Sequence, residues 1–204
     1  MLYVEQSLNP NEDIIKIGKF HWLYTVNAAF WIVIGFGLMC GVLYAGYYWE
    51  VSRTVSGQFQ GLPVHLKAQA WDEVVRQKGG FFSIISGLHF GFKIGAFLSL
   101  LFGIFSFTSM MVRKATTEIC ITTDRLILKK GVVARHVDEI NVDRIEGVNV
   151  IQGVVGRIAN YGLVIVRGMG VGEVTLPQIA DPISFRRAID RAKSLDGGQK
   201  DIDL

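Results

Sequence analysis

Apolar residues run along this chain in two rhythms. Residues 22–48 and 94–112 hold no charged side chain. A bilayer core needs about 20 apolar helical residues, so these runs predict two membrane-spanning helices, over 23–48 and over 94–112. The borders of the first run support this. Lys19, His21, Trp22 and Tyr24 stand at one end and Tyr44, Tyr47, Tyr48 and Trp49 at the other. Amphipathic rings settle at the headgroup level of a membrane and have no reason to mark the ends of a buried soluble helix. The run is also far longer than the roughly 7–15 apolar residues of a signal peptide, so it reads as a retained span. The second run ends at Arg113 and Lys114. Ahead of it, 81–92 is apolar save for Ser and His, and Lys93 interrupts. A lysine near the membrane edge can snorkel to the headgroups, so 81–92 either extends the helix beyond the core or lies along the interface. A polar pathway along Lys93 and His89 is the weaker reading, since no acidic partner lies inside the run.

Small residues recur at every fourth position of the second segment: Ser83, Gly87, Gly91, Gly95, Ser99 and Gly103. The first span carries Gly37, Gly41 and Ala45. Spacing of i to i+4 gathers residues on one helix face, and glycine there lets another helix approach closely. Gly37, Gly41, Gly87, Gly91, Gly95, Ser99 and Gly103 are thus a candidate packing face, between the two spans or between two subunits. The segment joining the spans contains a predicted helix over 63–78. Leu66, Ala70 and Val74 form its apolar stripe with Trp71 and Val75 beside them, and Gly79-Gly80 ends it. It suits an outer leaflet or a packed neighbour equally.

After Lys114 the hydrophobic period falls to about two. Strands are predicted over 118–122, 125–129, 134–140, 145–150, 162–167 and 173–176, with turns at Thr123-Asp124 and Gly131 and one helical turn over 153–158. Asp181 and Pro182 then open a helix whose stripe is Phe185, Ala188, Ile189 and Ala192. Short antiparallel strands closed by one C-terminal helix predict a small barrel or sandwich. The chain therefore divides into an N-terminal segment (1–21), a first transmembrane helix (22–49) and a linker with a short amphipathic helix (50–80). A second transmembrane helix with an interfacial extension (81–112), a β domain (113–194) and a disordered polar tail (195–204) complete it.

Charge fixes the orientation. Lys16, Lys19, Arg113, Lys114, Arg125, Lys129 and Lys130 lie on one side, against Arg53, Lys67, Arg76 and Lys78 on the other with Lys93 at the edge. The side richer in Lys and Arg is cytoplasmic, which places both termini there. A net charge of +3 with 19% charged residues and no long basic run excludes a nucleic-acid partner. Instead Arg113, Lys114, Arg125, Lys129, Lys130 and Arg135 are candidate contacts to anionic headgroups, each contributing about 1 kcal/mol near such a surface. The alternative is ordinary positive-inside charge. The carboxylates of Asp138, Glu139, Asp143 and Glu146 suggest solvated ion pairs with Arg135 and Arg144.

No catalytic constellation, metal site or cofactor is expected. The four histidines share no metal-ligand spacing with Cys40 or Cys120, which read as buried small apolar residues. Gly168-Met-Gly-Val-Gly172 lacks the Lys-Ser/Thr ending of a phosphate loop.

In their order, these elements resemble the bacterial pleckstrin-homology-like, membrane-flanked domain. The resemblance rests on Thr122-Thr-Asp-Arg-Leu-Ile-Leu-Lys-Lys-Gly131, Asp138-Glu-Ile140, Ile145-Glu-Gly-Val-Asn-Val-Ile-Gln152, Gly156-Arg157, Asn160-Tyr-Gly162 and Arg167-Gly168. It continues through Ile179-Ala-Asp-Pro-Ile-Ser-Phe-Arg-Arg-Ala-Ile189. Tyr3-Val-Glu5, Leu8-Asn-Pro-Asn-Glu12 and Lys19-Phe-His-Trp22 add to it. The long segment 50–80 departs from the short link of the members it resembles. The resemblance implies a partly open β-barrel with a C-terminal helix, anchored by two transmembrane helices at the inner face of a bacterial membrane, and self-assembly. The expected function is a non-enzymatic, self-assembling scaffold of the inner membrane, with membrane lipids, further copies of the chain or another membrane protein as partners. A lipid- or ligand-binding module is the alternative. A non-catalytic subunit of a transporter or enzyme complex is the third, because two spans cannot enclose a pathway alone.

Overall fold

The computed structural model describes residues 3–59, 61, 63–131, 134–170 and 172–200. The chain forms two compact units: the residues up to Asn27 together with those from Ser109 onward, and the stretch Ala28–Thr108.

The second unit is helical. Two helices are long and apolar enough to cross a membrane: α2 (Trp22–Gln58) and α5 (Phe90–Thr116). Within this unit they pack antiparallel, with Gly35 on Gly103, Val42 near Gly95, and Gly46 on Leu88 and Phe92. α2 does not stop at 49. It continues over 50–58, because nothing there breaks a helix and because Val51 and Val55 pack against α3 (Val64–Gln77). The apolar stripe of α3 is thus covered by protein: Val74 is buried with Val51 and with Ile84 of α4 (Phe81–Gly87), and Trp71 packs beside them. Lys78 closes the cap with an ion pair to Glu50 at 2.7 Å.

The predicted 81–112 helix is two helices. Leu88 is extended between them, and both ends are satisfied locally. His89 Nδ1 accepts the Gly91 N–H at 3.2 Å, and Lys93 Nζ donates to the Ser86 carbonyl at 2.6 Å. These bonds supply partners that a helix end otherwise lacks. Lys93 is therefore accounted for as a helix-end partner.

The other unit is a PH-like fold of two antiparallel sheets that do not close into a barrel. One has the order β1 (Ile14–Gly18), β2 (Glu118–Thr122), β3 (Arg125–Lys130), β4 (His136–Asn141); the other has β5 (Ile145–Ile151), β6 (Tyr161–Gly168), β7 (Gly172–Ala180). They meet through a bridge between Phe20 and Ile179. A 3-10 turn (Val142–Arg144) links β4 to β5, and α6 (Val154–Ile158) links β5 to β6.

Helix α7 (Pro182–Lys200) places Phe185, Ala188, Ile189 and Ala192 against Ile119, Ile121, Leu126, Leu128, Val164, Val166 and Leu176. It runs to Lys200, beyond the 195 at which a disordered tail is expected; residues 201–204 lie outside the described residues. Strands β2 and β3 bury both faces. Their alternate residues Cys120 and Ile127 pack under Val4 of α1 (Tyr3–Ser7) and Leu8. The N-terminal segment thus supplies a lid and an edge strand to this fold.

Candidate membrane-contact site

Strand register decides which loops of the β unit share an end. β2 starts at Glu118, just after α5 ends at Thr116, and Glu118 pairs with Lys129. Lys130 pairs with His136 across the next ladder, so the β3–β4 turn lies where α5 arrives. Gly18 pairs with Ile119, so β1 hands the chain to α2 at that same end. In the other sheet Tyr161 pairs with Ala180, and the Ala180 N–H donates to the Lys19 carbonyl at 2.8 Å. The Tyr161 ring stacks on His21 with centroids 5.1 Å apart. The roots of both apolar helices, the β3–β4 turn and α6 therefore share one end. The β2–β3 and β6–β7 turns occupy the opposite end.

This arrangement sorts the six basic candidates. Arg113, Lys114, Lys129, Lys130 and Arg135 gather at the root end. Arg125 lies at the far end, opposite Asn141, about 13 Å along β3 from Lys129 at the usual strand rise. Its guanidinium is committed. Nε and Nη2 donate to the two carboxylate oxygens of Glu12 at 3.0 and 2.9 Å, Nη1 donates to Glu139 at 3.0 Å, and Nη2 also donates to the Ser7 carbonyl at 2.8 Å. The Glu12 side chain has no exposed surface. Its oxygens further accept the Thr122 hydroxyl at 2.7 Å and the Asn9 N–H at 3.0 Å. Burial works to raise the Glu12 carboxyl, but those hydrogen bonds and the Arg125 charge outweigh it and hold it below the usual carboxylate range. The hydrogen bond to Glu12 raises Arg125 in turn, against a smaller opposing effect of burial.

Two other candidates are paired at the root end: Lys129 with Glu118 at 2.7 Å, and Lys130 with Asp138 at 3.8 Å. Glu139 takes Arg125 from across the ladder, and Asp138 lies between Lys130 across the ladder and His136 of its own strand at 3.1 Å, so neither pairs with Arg135 or Arg144. Lys114 Nζ donates to the Thr25 hydroxyl at 2.6 Å. Arg113 and Arg135 are exposed and, among the described residues, form no ion pair. Lys19 and Arg157 stand likewise, and sequence reasoning did not single them out as contacts.

A groove of about 600 Å³ opens at this end between β1, the last turn of α5 and the start of β2. Val4, Ile14, Ile17, Phe20 and Ile119 make it apolar, and Lys19 and Lys114 stand in its wall beside Glu118. It adjoins the point where both apolar helices leave the β unit. The family model for the bacterial PH domain matches residues 75–193, more than half of the chain. The chain belongs to this family. No curated protein and no solved structure matches it.

In this bacterial PH domain the matched stretch takes in α4, α5 and the β unit through most of α7, while β1 and α2 precede it. One wall of the groove is thus supplied by residues upstream of the family match. The groove was not visible in the sequence because the five residues 14–18 alternate too briefly to be read as a strand, although Asn9-Pro10-Asn11 precedes them and Gly18 ends them.

The helical unit separates the glycine candidates. A Cβ on Gly103 would lie 2.7 Å from the Trp31 carbonyl and 2.9 Å from Gly35 Cα, so these two glycines allow backbone contact. Ser99 offers its carbonyl to the same spot, and Gly95 lies against Val42. Gly91 meets only His89, and Gly37, Gly41 and Gly87 face open space. Gly35 and Gly46, which seat α5 and Leu88, were missed because they fall outside the four-residue spacing. Tyr44, Tyr47 and Tyr48, read as interfacial aromatics, line a cleft of about 890 Å³ with Phe59, Lys67 and Trp71. Among the described residues no group of His, Cys, Asp and Glu could hold a metal.

Proposed function

We propose that this chain is a non-catalytic PH-like module, anchored in the bacterial inner membrane by two spans with both termini cytoplasmic, that holds an anionic phospholipid at the inner leaflet. The groove at the roots of the spans carries this reading. An apolar floor suits the upper part of an acyl chain, and the Lys19 and Lys114 ammonium groups suit a phosphate. Exposed Arg113 and Arg135 add positive charge at the same end, where an anionic leaflet favours it. Glu118 in the groove wall is neutralised by Lys129.

Native mass spectrometry of the full chain in detergent, with phosphatidylglycerol or phosphatidylcholine added, tests this. Phosphatidylglycerol is expected to be retained at least several-fold better, and Lys19→Gln with Lys114→Gln to abolish the preference. Equal retention of both lipids, or a preference that survives the double substitution, overturns it.

Self-assembly is supported by one separate observation: Gly37 and Gly41 present an open glycine face on α2 while Gly35 and Gly46 serve the contacts within the chain. Light scattering of the detergent-solubilised protein, with detergent subtracted, should then give a defined multiple of the chain mass. Gly37→Leu with Gly41→Leu should reduce it to one chain. A monomeric wild type discards this reading.

A further inference from the structure

We propose that α6 is a membrane wedge, whose Val154, Val155 and Ile158 side chains enter the headgroup–acyl boundary of the leaflet from which α2 and α5 arise. These three side chains are 77%, 60% and 83% exposed, and Ile151 beside them is 55% exposed. Among the described residues of the β unit outside α2 and α5, the other exposed aliphatics, Ile17, Met169, Ile183 and Leu195, are scattered singly. A cluster of four within eight residues is a surface that water disfavours and that a soluble face rarely carries.

The register fixes where the cluster points. The Gln152 side-chain amide donates to the Gly156 carbonyl at 3.3 Å and to the Tyr161 carbonyl at 3.0 Å, tying α6 to the start of β6. A Cβ on Gly156 would meet the Tyr161 carbonyl at 2.7 Å, so the helix sits directly on that residue. Tyr161 stacks on His21, and the next residue, Trp22, is the first of α2 and is exposed. The apolar knob is therefore held beside the first turn of an apolar helix, at the end from which both such helices leave. Arg157, exposed within the knob, can extend its head to a phosphate while its stem lies among the aliphatics. Apolar side chains with a tryptophan and a cation at one level are the composition of a segment that lies in a bilayer interface. A bilayer is the occupant these observations favour over a protein, because the knob shares its level with the roots of both helices.

The inference rests on reading α2 and α5 as spans but not on the groove's lipid, and its test keeps these apart. Full-length Cys40→Ala protein receives one new cysteine by Val155→Cys, Ile158→Cys, Met169→Cys or Val33→Cys; Cys120 is buried and stays. Each variant is labelled with an environment-sensitive fluorophore and placed in nanodiscs of phosphatidylcholine alone, with and without brominated acyl chains. Met169 follows the far end of β6, roughly 26 Å along the strand from Tyr161, and is the solvent control. Val33 lies within α2 and checks the span. Labels at 155 and 158 are expected to shift to the blue and to lose at least half their emission to bromine, with no change at 169. Quenching at 33 without quenching at 155 and 158 overturns the wedge and leaves the spans standing. A blue shift at 155 and 158 without bromine quenching also overturns it, because a protein then covers the knob.

Discussion

Arg125 shows how a residue can change meaning between sequence and structure. As a cation on a hairpin near a membrane helix it reads as a headgroup contact. In the fold it is a strut that holds residues 7–12 onto β2 and β3 by charge-assisted bonds. Removing one partner of a buried pair leaves the other charge without compensation and costs about 3–5 kcal/mol. Arg125→Ala should therefore lower the thermal midpoint of the full chain in detergent and open residues 7–18 to proteolysis, whereas Arg135→Ala should do neither. Acid acts on the same strut. A carboxyl held below its unfolded value, about 4.3 for glutamate, contributes stability above that pH and loses it as pH falls through the folded value. Hydrogen-exchange protection of residues 7–18, relative to the intrinsic rate, should accordingly fall below about pH 4, and in Glu12→Gln protein it should be low already and independent of pH. Cys120 lies on the same sheet. Burial, helped by the nearby Glu12 charge, pushes its thiol up to about 11. At pH 8 roughly one thiol in a thousand is then ionised, so maleimide should spare Cys120 until the protein is denatured. Modification in the native state would mean that α1 does not cover this face. The sequence showed that Cys120 would be buried, since it falls in an alternating strand. It could not show that Arg125 would be used internally, because that depends on which end of a ladder carries the helix roots and on a glutamate 113 residues away.

Among the elements, legibility followed the length and clarity of the pattern. The two apolar helices, the strands from β2 to β7 and α7 all carried a strong period, and each is present. The first strand was missed because five residues give too little alternation even with Asn9-Pro10-Asn11 before them and Gly18 at their end, and its partner β2 lies across both apolar helices in sequence. The break at Leu88 was missed for another reason: neither proline nor charge marks it, and it is held by His89 and Lys93 side chains whose roles appear only in three dimensions. That break matters for the glycine face, because Ser83 and Gly87 fall on α4 and leave a shorter face on α5. The contact that remains is close enough to test. Gly103→Leu would drive a side chain into the Trp31 carbonyl and the Gly35 backbone, and overpacking of this kind costs about 1–3 kcal/mol. A fall in the thermal midpoint is expected for Gly103→Leu and Gly35→Leu, with none for Gly87→Leu, which faces open space. An equal rise at all three positions would mean that glycine acts through helix propensity alone.

For the whole molecule, the length of α2 sets a constraint that neither the sequence runs nor the family match contains. Its 37 residues extend about 55 Å at the helical rise, while a hydrocarbon core is about 30 Å thick. If the aromatic and basic residues at 19–24 mark one interface, as their composition predicts, the excess falls at the other end. There Glu50 and Arg53 appear and the last turns pack against α3. This end, with α3 and α4, forms a small covered core of its own around Val51, Val74 and Ile84. If α2 and α5 both cross with the termini cytoplasmic, as proposed, a cap of this kind is reached from outside the cell. Impermeant maleimide on intact cells, with Cys40 replaced by alanine, should then label Gln69→Cys, which is exposed on α3. It should reach Arg187→Cys, exposed on α7, only after lysis. Labelling of both positions from outside, or of neither, would overturn the proposed crossing. The helices would then need another explanation for their exposed apolar surface, and both the lipid groove and the wedge would lose the bilayer on which they depend.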